Sequence, residues 1–206
     1  MKLVKKITLV ILCIVALESC GQQEEYTTET LKGFMLGGPY ISNSYGGLHK
    51  MNRQMGLANN SSKDDILKAY KKYWPFYFTT YDKEPCKGAL NNFWEISDRD
   101  TILESLTILK EESSEFKAWD YTRAVDVATM GYCAGYLSKE EVNAYLAEVL
   151  TIVQKKYTTW KVYFDEYNKG RLDWNPDSPD AQEFGNMVLG LQNDATSIYK
   201  VIPLSD

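Results

Sequence analysis

Apolar residues recur at helical spacing along most of the chain. The stretch "LSKEEVNAYLAEVLTIVQKKY" shows this most clearly, because Val142, Leu146 and Val149 repeat every three or four residues. Ser138, followed three residues later by Glu141, is the pattern of a capping box at a helix start. This segment is therefore predicted to be an amphipathic helix.

Five other segments have comparable patterns and helix-ending signals. Pro75 is expected to end one of them, and Gly135 and Gly170 are expected to lie at the C-terminal caps of two others. Successive helices without alternating strands predict an all-α fold, a compact multi-helix single domain with short helix–helix links. The five segments span residues 61–74, 93–112, 118–135, 158–170 and 178–192.

The N-terminus has the pattern of a secretory signal. Three lysines within the first six residues precede the apolar run "ITLVILCIVAL", which is shorter than the roughly 20 residues needed to cross a bilayer. The following "LESC" resembles the cleavage box of bacterial lipoproteins and puts Cys20 at the lipidation position. The alternative is an ordinary N-terminal core helix. The three lysines directly before the apolar run argue against it.

These features divide the chain into three parts. Residues 1–19 are predicted to be the lipoprotein signal peptide, 20–45 the lipidated cysteine with a flexible tether, and 46–206 the all-α domain. Several glycines between residues 33 and 47 suggest loop structure there. Acyl chains such as palmitate on Cys20 would attach the protein to a membrane of the bacterial cell envelope, the outer membrane in a diderm cell.

The net charge indicates which classes of partner are unsuitable, and the cysteines raise the question of a disulfide. The formal net charge is −5 and basic residues are not clustered, which argues against binding to nucleic acid or to anionic headgroups. Cys86 and Cys133 are candidates for a disulfide in an oxidising compartment. Two buried free thiols are the alternative.

No catalytic constellation is recognisable in the chain. Its one histidine, His49, lies beside the apolar face of its segment and is expected to be a surface residue. A Ser-His-Asp triad, a zinc site and a phosphate-binding loop all lack the residues that they need. No catalytic residue, metal or cofactor is therefore predicted.

Trp119, Asp120 and Arg123 lie close together in one predicted helix. Asp120 and Arg123 are one turn apart, so their side chains can meet on one helix face. If buried, the Arg123 guanidinium can also bind a backbone carbonyl or a second carboxylate such as Asp126. The group is expected to join packed helices, and the alternative is the floor of a ligand-binding cleft.

Three ordered motifs lie between about residues 91 and 175. They are a Trp-x-Ile-x-x-Arg helix start, a Trp-Asp-x-x-Arg-Ala segment leading into Gly-Tyr-x-x-Gly-Tyr-Leu-Ser, and a Tyr-x-x-Gly-Arg-x-x-Trp ending after a tryptophan. Together they resemble the core of the bacterial domain-of-unknown-function family 1266. The resemblance implies an α-helical bacterial domain and supplies no catalytic residue. The motif residues are Trp94, Ile96, Arg99, Trp119, Asp120, Arg123, Ala124, Gly131, Tyr132, Gly135, Tyr136, Leu137, Ser138, Glu141, Trp160, Tyr167, Gly170, Arg171 and Trp174.

Two functions are compatible with these features, besides a purely structural role in the envelope. The first is a lipid-anchored module that binds a protein partner, for example as an immunity-like protein, because Trp and Tyr are abundant and suit interfaces. The second is a cell-wall glycan-binding protein or hydrolase. It would use Trp119, Trp160 or Trp174 to stack sugars, with Asp120 as the acid.

Overall fold

The computed structural model describes residues 26–112, 114–177 and 179–205. Within these residues the chain forms ten α-helices and two short 3-10 turns and contains no strand, which confirms the predicted all-α fold. The predicted signal peptide and Cys20 lie outside the described residues. The helices are α1 (Thr28–Met35), α2 (Gly38–Ser44), α3 (Leu48–Gln54), α4 (Lys63–Tyr73), α5 (Lys83–Trp94), α6 (Arg99–Glu111), α7 (Lys117–Ala134), α8 (Lys139–Lys156), α9 (Trp160–Trp174) and α10 (Pro179–Asn193).

Helix α7 lies at the centre of the domain. It packs against α2, α5, α6, α8 and α9, and small residues such as Ala124 and Ala128 on this helix are fully buried. A helix that is buried on most of its faces needs apolar or small residues nearly all round. Most positions of α7 meet this need. The buried Thr122 and Thr129 satisfy their hydroxyls on backbone carbonyls of the same helix, and the charged positions Lys117, Asp120 and Arg123 belong to the site described below.

The helix ends follow the local sequence signals. Ser138 caps α8 in a capping box with Glu141, as predicted. Gly135 ends α7 in the left-handed conformation at φ 85°, which glycine adopts without steric cost. Helix α4 ends before Pro75, again as predicted.

The prediction of a flexible tether through residue 45 is wrong for residues 28–44. They form α1 and α2, and Phe34 and Ile41 of this segment are fully buried in the core. The glycines read as loop signals permit close packing instead. A Cβ at Gly37 would lie 2.6 Å from Val125, and one at Gly38 would lie 2.0 Å from the Tyr199 hydroxyl.

Among the described helices, none is both long enough and apolar enough to cross a bilayer.

Candidate functional site

The carboxylate of Asp120 joins the start of α7 to the segment before it. It is buried and accepts hydrogen bonds of 2.5 Å from Arg123 Nη2 and 2.5 Å from Ser114 Oγ. Lys117 Nζ lies 3.4 Å away and also donates to the backbone carbonyl of Leu109 at the end of α6. Through Lys117 these contacts connect the start of α7 to the end of α6, and they hold the buried carboxylate of Asp120.

Arg123 connects this tie to two tryptophans. Its guanidinium carbon lies 3.7 Å from the ring centroid of Trp119 and 5.6 Å from that of Trp94. Both are distances at which a cation is attracted to an aromatic ring. Its Nε is buried without a hydrogen-bond partner, and the structure shows no hydrogen bond from Arg123 to Asp126.

Gly170 allows α9 to approach the start of α7. The prediction that it lies at a C-terminal cap is wrong, because α9 continues to Trp174. A Cβ at this position would lie 2.7 Å from Cβ of Phe116 and 2.8 Å from Cβ of Trp119. Only glycine fits such a close approach without displacing a helix. In this arrangement the ring centroids of Trp119 and Trp174 are 5.9 Å apart.

Five side chains from α5, α7 and α9 therefore form one continuous group of contacts that is exposed at Trp174. This group is called the tryptophan–arginine face. Trp174 is 62% exposed, Trp94 and Trp119 are half-buried, and the Arg123 side chain is 23% exposed. Arg171 is buried, with its guanidinium carbon 5.0 Å from the Trp174 ring centroid. The face consists of Trp94, Trp119, Arg123, Arg171 and Trp174.

The remaining predicted aromatic residues are part of the interior. Trp160 is buried, and its Nε1 donates to the backbone carbonyl of Ile202 at 2.8 Å. Its ring packs against Phe164 and Tyr199. Tyr167 is also fully buried. Trp160 is therefore a core residue and lies outside the tryptophan–arginine face.

Two further residues, Tyr40 and Asp126, lie beside this face. From the sequence, Asp126 was named only as a candidate second carboxylate for Arg123, and Tyr40 was not named. Tyr40 comes from α2, the helix that was expected to be tether, and its ring centroid lies 6.4 Å from that of Tyr167. Asp126 follows Trp119 and Arg123 on α7 at the spacing of one helix face. Burial raises the pKa of Asp126 to about 7. Helical spacing was the available signal for Asp126, and no sequence signal pointed to Tyr40.

Cys86 and Cys133 are neighbours and are free thiols in the structure. Cys86 is buried on α5 and Cys133 is half-buried on α7. The Cys133 thiol lies 3.8 Å from the backbone carbonyl of Thr79, to which it donates, and each of the two thiols influences the pKa of the other. Burial raises the pKa of both thiols. Their oxidation to a disulfide stays a prediction.

His49 is a surface residue, as expected. Its side chain is 78% exposed and its Nδ1 lies 3.5 Å from a carboxylate oxygen of Asp194. Within the part of the chain that the structure describes, no group of three or more His, Cys, Asp or Glu side chains is arranged to hold a metal ion.

Part of the chain matches a known protein family. Residues 107–204 match the family described as "Protein of unknown function (DUF1266)", which supports the resemblance seen in the motifs. Four of the five residues of the tryptophan–arginine face lie within the matched range, and Trp94 precedes it. No curated protein and no solved structure matches the chain.

Proposed function

We propose that this protein, which carries a match to the DUF1266 family, is a lipid-anchored envelope protein whose helical domain binds a protein partner. The contact surface is the tryptophan–arginine face. The observation that carries the proposal is the position of Trp174, which is 62% exposed and lies next to both Trp119 and Arg171. An immunity-like role is one form of this function.

The composition of the face is that of a binding hot spot. Trp and Arg are the residue types most often found to dominate the free energy of protein association. In this face the rings of Trp94 and Trp119 flank the Arg123 guanidinium, which is also held by Asp120. Side chains that are already ordered lose little conformational entropy when a partner binds. The lipidated Cys20 predicted by the sequence would hold this face near the membrane.

The alternative of a glycan-binding protein would use the same tryptophans. Trp119 and Trp174 offer neighbouring rings, one of them mostly exposed. A hydrolase based on Asp120 has less support, because that carboxylate is buried and already accepts hydrogen bonds from Arg123 and Ser114.

The test is affinity purification of the tagged, membrane-anchored protein from its native membrane, followed by quantitative mass spectrometry. We expect a stoichiometric protein partner, and we expect Trp174→Ala to reduce its affinity roughly 30-fold or more, the effect of a hot-spot residue. Tyr81→Ala is the matched control, because Tyr81 is 92% exposed and lies outside the face.

Two results would count against the proposal. One is a partner that Trp174→Ala retains as well as Tyr81→Ala does. The other is binding of cell-wall fragments, with no protein recovered, that Trp174→Ala abolishes. That second result would assign the face to glycan recognition.

A further inference from the structure

Arg171 is a buried cation with no anionic partner among the residues that the structure describes. It is 6% exposed, and its Nε and Nη1 are buried with no hydrogen-bond acceptor. Within residues 26–112, 114–177 and 179–205 it forms no ion pair. A buried guanidinium is normally paired, since removal from water without a compensating anion is costly. The surroundings of Arg171 therefore suit an anion.

Aromatic side chains surround this guanidinium. Its central carbon lies 5.0 Å from the ring centroid of Trp174 and 5.1 Å from that of Phe184. Tyr40 packs on Phe184 with the ring centroids 5.3 Å apart and on Tyr167 with the centroids 6.4 Å apart. We refer to these five residues, Tyr40, Tyr167, Arg171, Trp174 and Phe184, as the Arg171 cluster.

The cluster contains a second unpaired donor. The hydroxyl of Tyr167 is buried and has no hydrogen-bond partner. Burial raises the pKa of Tyr40, and nearby Arg123 and Arg171 partly offset that rise, so the Tyr40 hydroxyl lies within the field of both guanidinium groups. Arg171 and Tyr167 therefore both present buried polar hydrogens that no described acceptor binds. Tyr40 is half-buried and Trp174 is mostly exposed, so solvent reaches the edge of the cluster.

The local charges favour an anion with a single charge. Arg171 is unpaired, whereas Arg123 is already paired with Asp120. The carboxyl of Asp126 lies close enough to raise the pKa of Tyr40, and when ionised it would repel additional negative charge. A carboxylate matches one guanidinium in charge and in planar geometry, whereas a phosphate dianion would bring a second charge.

We propose that the Arg171 cluster is a binding pocket for one carboxylate group, supplied by an acidic side chain or the C-terminus of the protein partner. The inference rests on the proposed function for the source of the carboxylate. The guanidinium of Arg171 would bind it, and the hydroxyl of Tyr167 would donate a further hydrogen bond.

The test is a titration of the folded protein, with α1 and α2 included, with sodium acetate at constant ionic strength, followed through the Arg171 Nε–H signal in a ¹⁵N-correlated NMR spectrum. That signal is assigned by its loss in Arg171→Gln. We expect a saturable shift with acetate and none with acetamide, which has nearly the same shape and no charge. Tyr167→Phe should weaken acetate binding about tenfold, the value of one hydrogen bond to a charged group. Arg53→Gln, which removes an exposed arginine on α3, should leave binding unchanged.

Several results would overturn the inference. They are no saturable shift with acetate, an equal shift with acetamide, and unchanged acetate binding in Tyr167→Phe. Tighter binding of inorganic phosphate than of acetate would assign the cluster to phosphate groups instead. If Arg171→Gln does not fold, the signal is assigned through the backbone and Tyr167→Phe supplies the comparison.

A second arm identifies the source of the carboxylate. A short peptide ending in glycine is compared with its C-terminal amide and with an amide that contains one glutamate. Binding of the free acid alone points to a C-terminus, binding of the glutamate peptide alone points to a side chain, and binding of neither overturns a peptide source. If acetate binds but Trp174→Ala captures the protein partner as well as the wild type does, only the proposed function is contradicted. If acetate does not bind but Trp174→Ala loses the protein partner, only the carboxylate pocket is contradicted.

Discussion

Asp120 accepts a hydrogen bond of 2.5 Å from Arg123, one turn later on α7, while the same guanidinium lies 3.7 Å from the Trp119 ring centroid. One side chain therefore belongs both to a buried structural tie and to an accessible aromatic surface. The tie fixes the position of Arg123, and Arg123 in turn orders the tryptophans around it. Substitution of Asp120 should therefore affect mainly stability, whereas substitution of the exposed Trp174 should affect mainly binding.

Removal of the Asp120 carboxylate should destabilise the domain. Asp120→Ala leaves the guanidinium of Arg123 and the ammonium of Lys117 without their carboxylate, and we expect a loss of about 3 kcal/mol, as for a broken buried ion pair. In a domain of this size the melting temperature should fall by roughly 6–12 °C. The control is Asp165→Ala, which breaks an exposed pair with Lys161 worth less than about 0.5 kcal/mol. Equal melting temperatures for the two variants would disprove the role of the tie.

Gly170 should be intolerant of a methyl group. Gly170→Ala places a Cβ against Phe116 and Trp119, and we expect overpacking to cost about 1–3 kcal/mol in urea-induced unfolding. Gly88→Ala is the control, since Gly88 also lies inside a helix and a Cβ there meets no atom within 4 Å. That substitution should be neutral or stabilise by up to about 1 kcal/mol. A stabilising Gly170→Ala would contradict the close helix approach.

Asp126 should make stability fall as the pH rises towards neutral. Burial raises its pKa from 3.8 to about 7, so between these values the folded state keeps a proton that the unfolded state has lost. The resulting destabilisation grows over this range and is constant above it. Asp126→Asn should therefore be more stable than the wild type by about 2–4 kcal/mol at pH 8 and nearly equal to it at pH 4. Denaturant unfolding at both pH values measures this, and a pH-independent difference would contradict it.

Cys86 and Cys133 should link to each other under mild oxidation. Their thiols are neighbours on α5 and α7, so copper phenanthroline should form an intramolecular disulfide, seen as the loss of two hydrogens in the intact mass. Before oxidation both thiols should react slowly with iodoacetamide, because burial raises their pKa and lowers the thiolate fraction. Cys86→Ser should abolish the intramolecular link. If oxidation of the wild type gives disulfide-linked dimers and no intramolecular disulfide, the proximity of Cys86 and Cys133 is contradicted.

Cys20 should determine membrane attachment. If Cys20 is lipidated, Cys20→Ser should move the protein from the membrane fraction to the soluble fraction of the cell envelope. Fractionation followed by immunoblotting measures this, and Cys13→Ser, within the predicted signal, is the control. Retention of Cys20→Ser in the membrane fraction would contradict the lipoprotein prediction.

The amino-acid sequence was sufficient to predict those features that depend on neighbouring residues. The apolar repeat of α8 and its Ser138–Glu141 capping box involve contacts within a few turns of one helix, so local spacing predicts them. The Asp120–Arg123 contact is of the same kind, since both residues lie on α7 one turn apart. His49 was also correctly placed on the surface from its position beside an apolar face.

The roles of the glycines, the burial of each tryptophan and the surroundings of Arg171 depend on tertiary packing. A glycine is equally suited to a turn and to a close helix contact, so the sequence did not distinguish the role of Gly37 or Gly170. The same holds for the tryptophans, because Trp160 is buried while Trp174 is exposed at the other end of the same helix. The surroundings of Arg171 include Tyr40 of α2 and Phe184 of α10, which only the packing of these helices brings together. Local patterns predicted α4 and the helices α6 to α10, whereas the meeting of Trp94, Arg123 and Trp174 depends on how the helices pack.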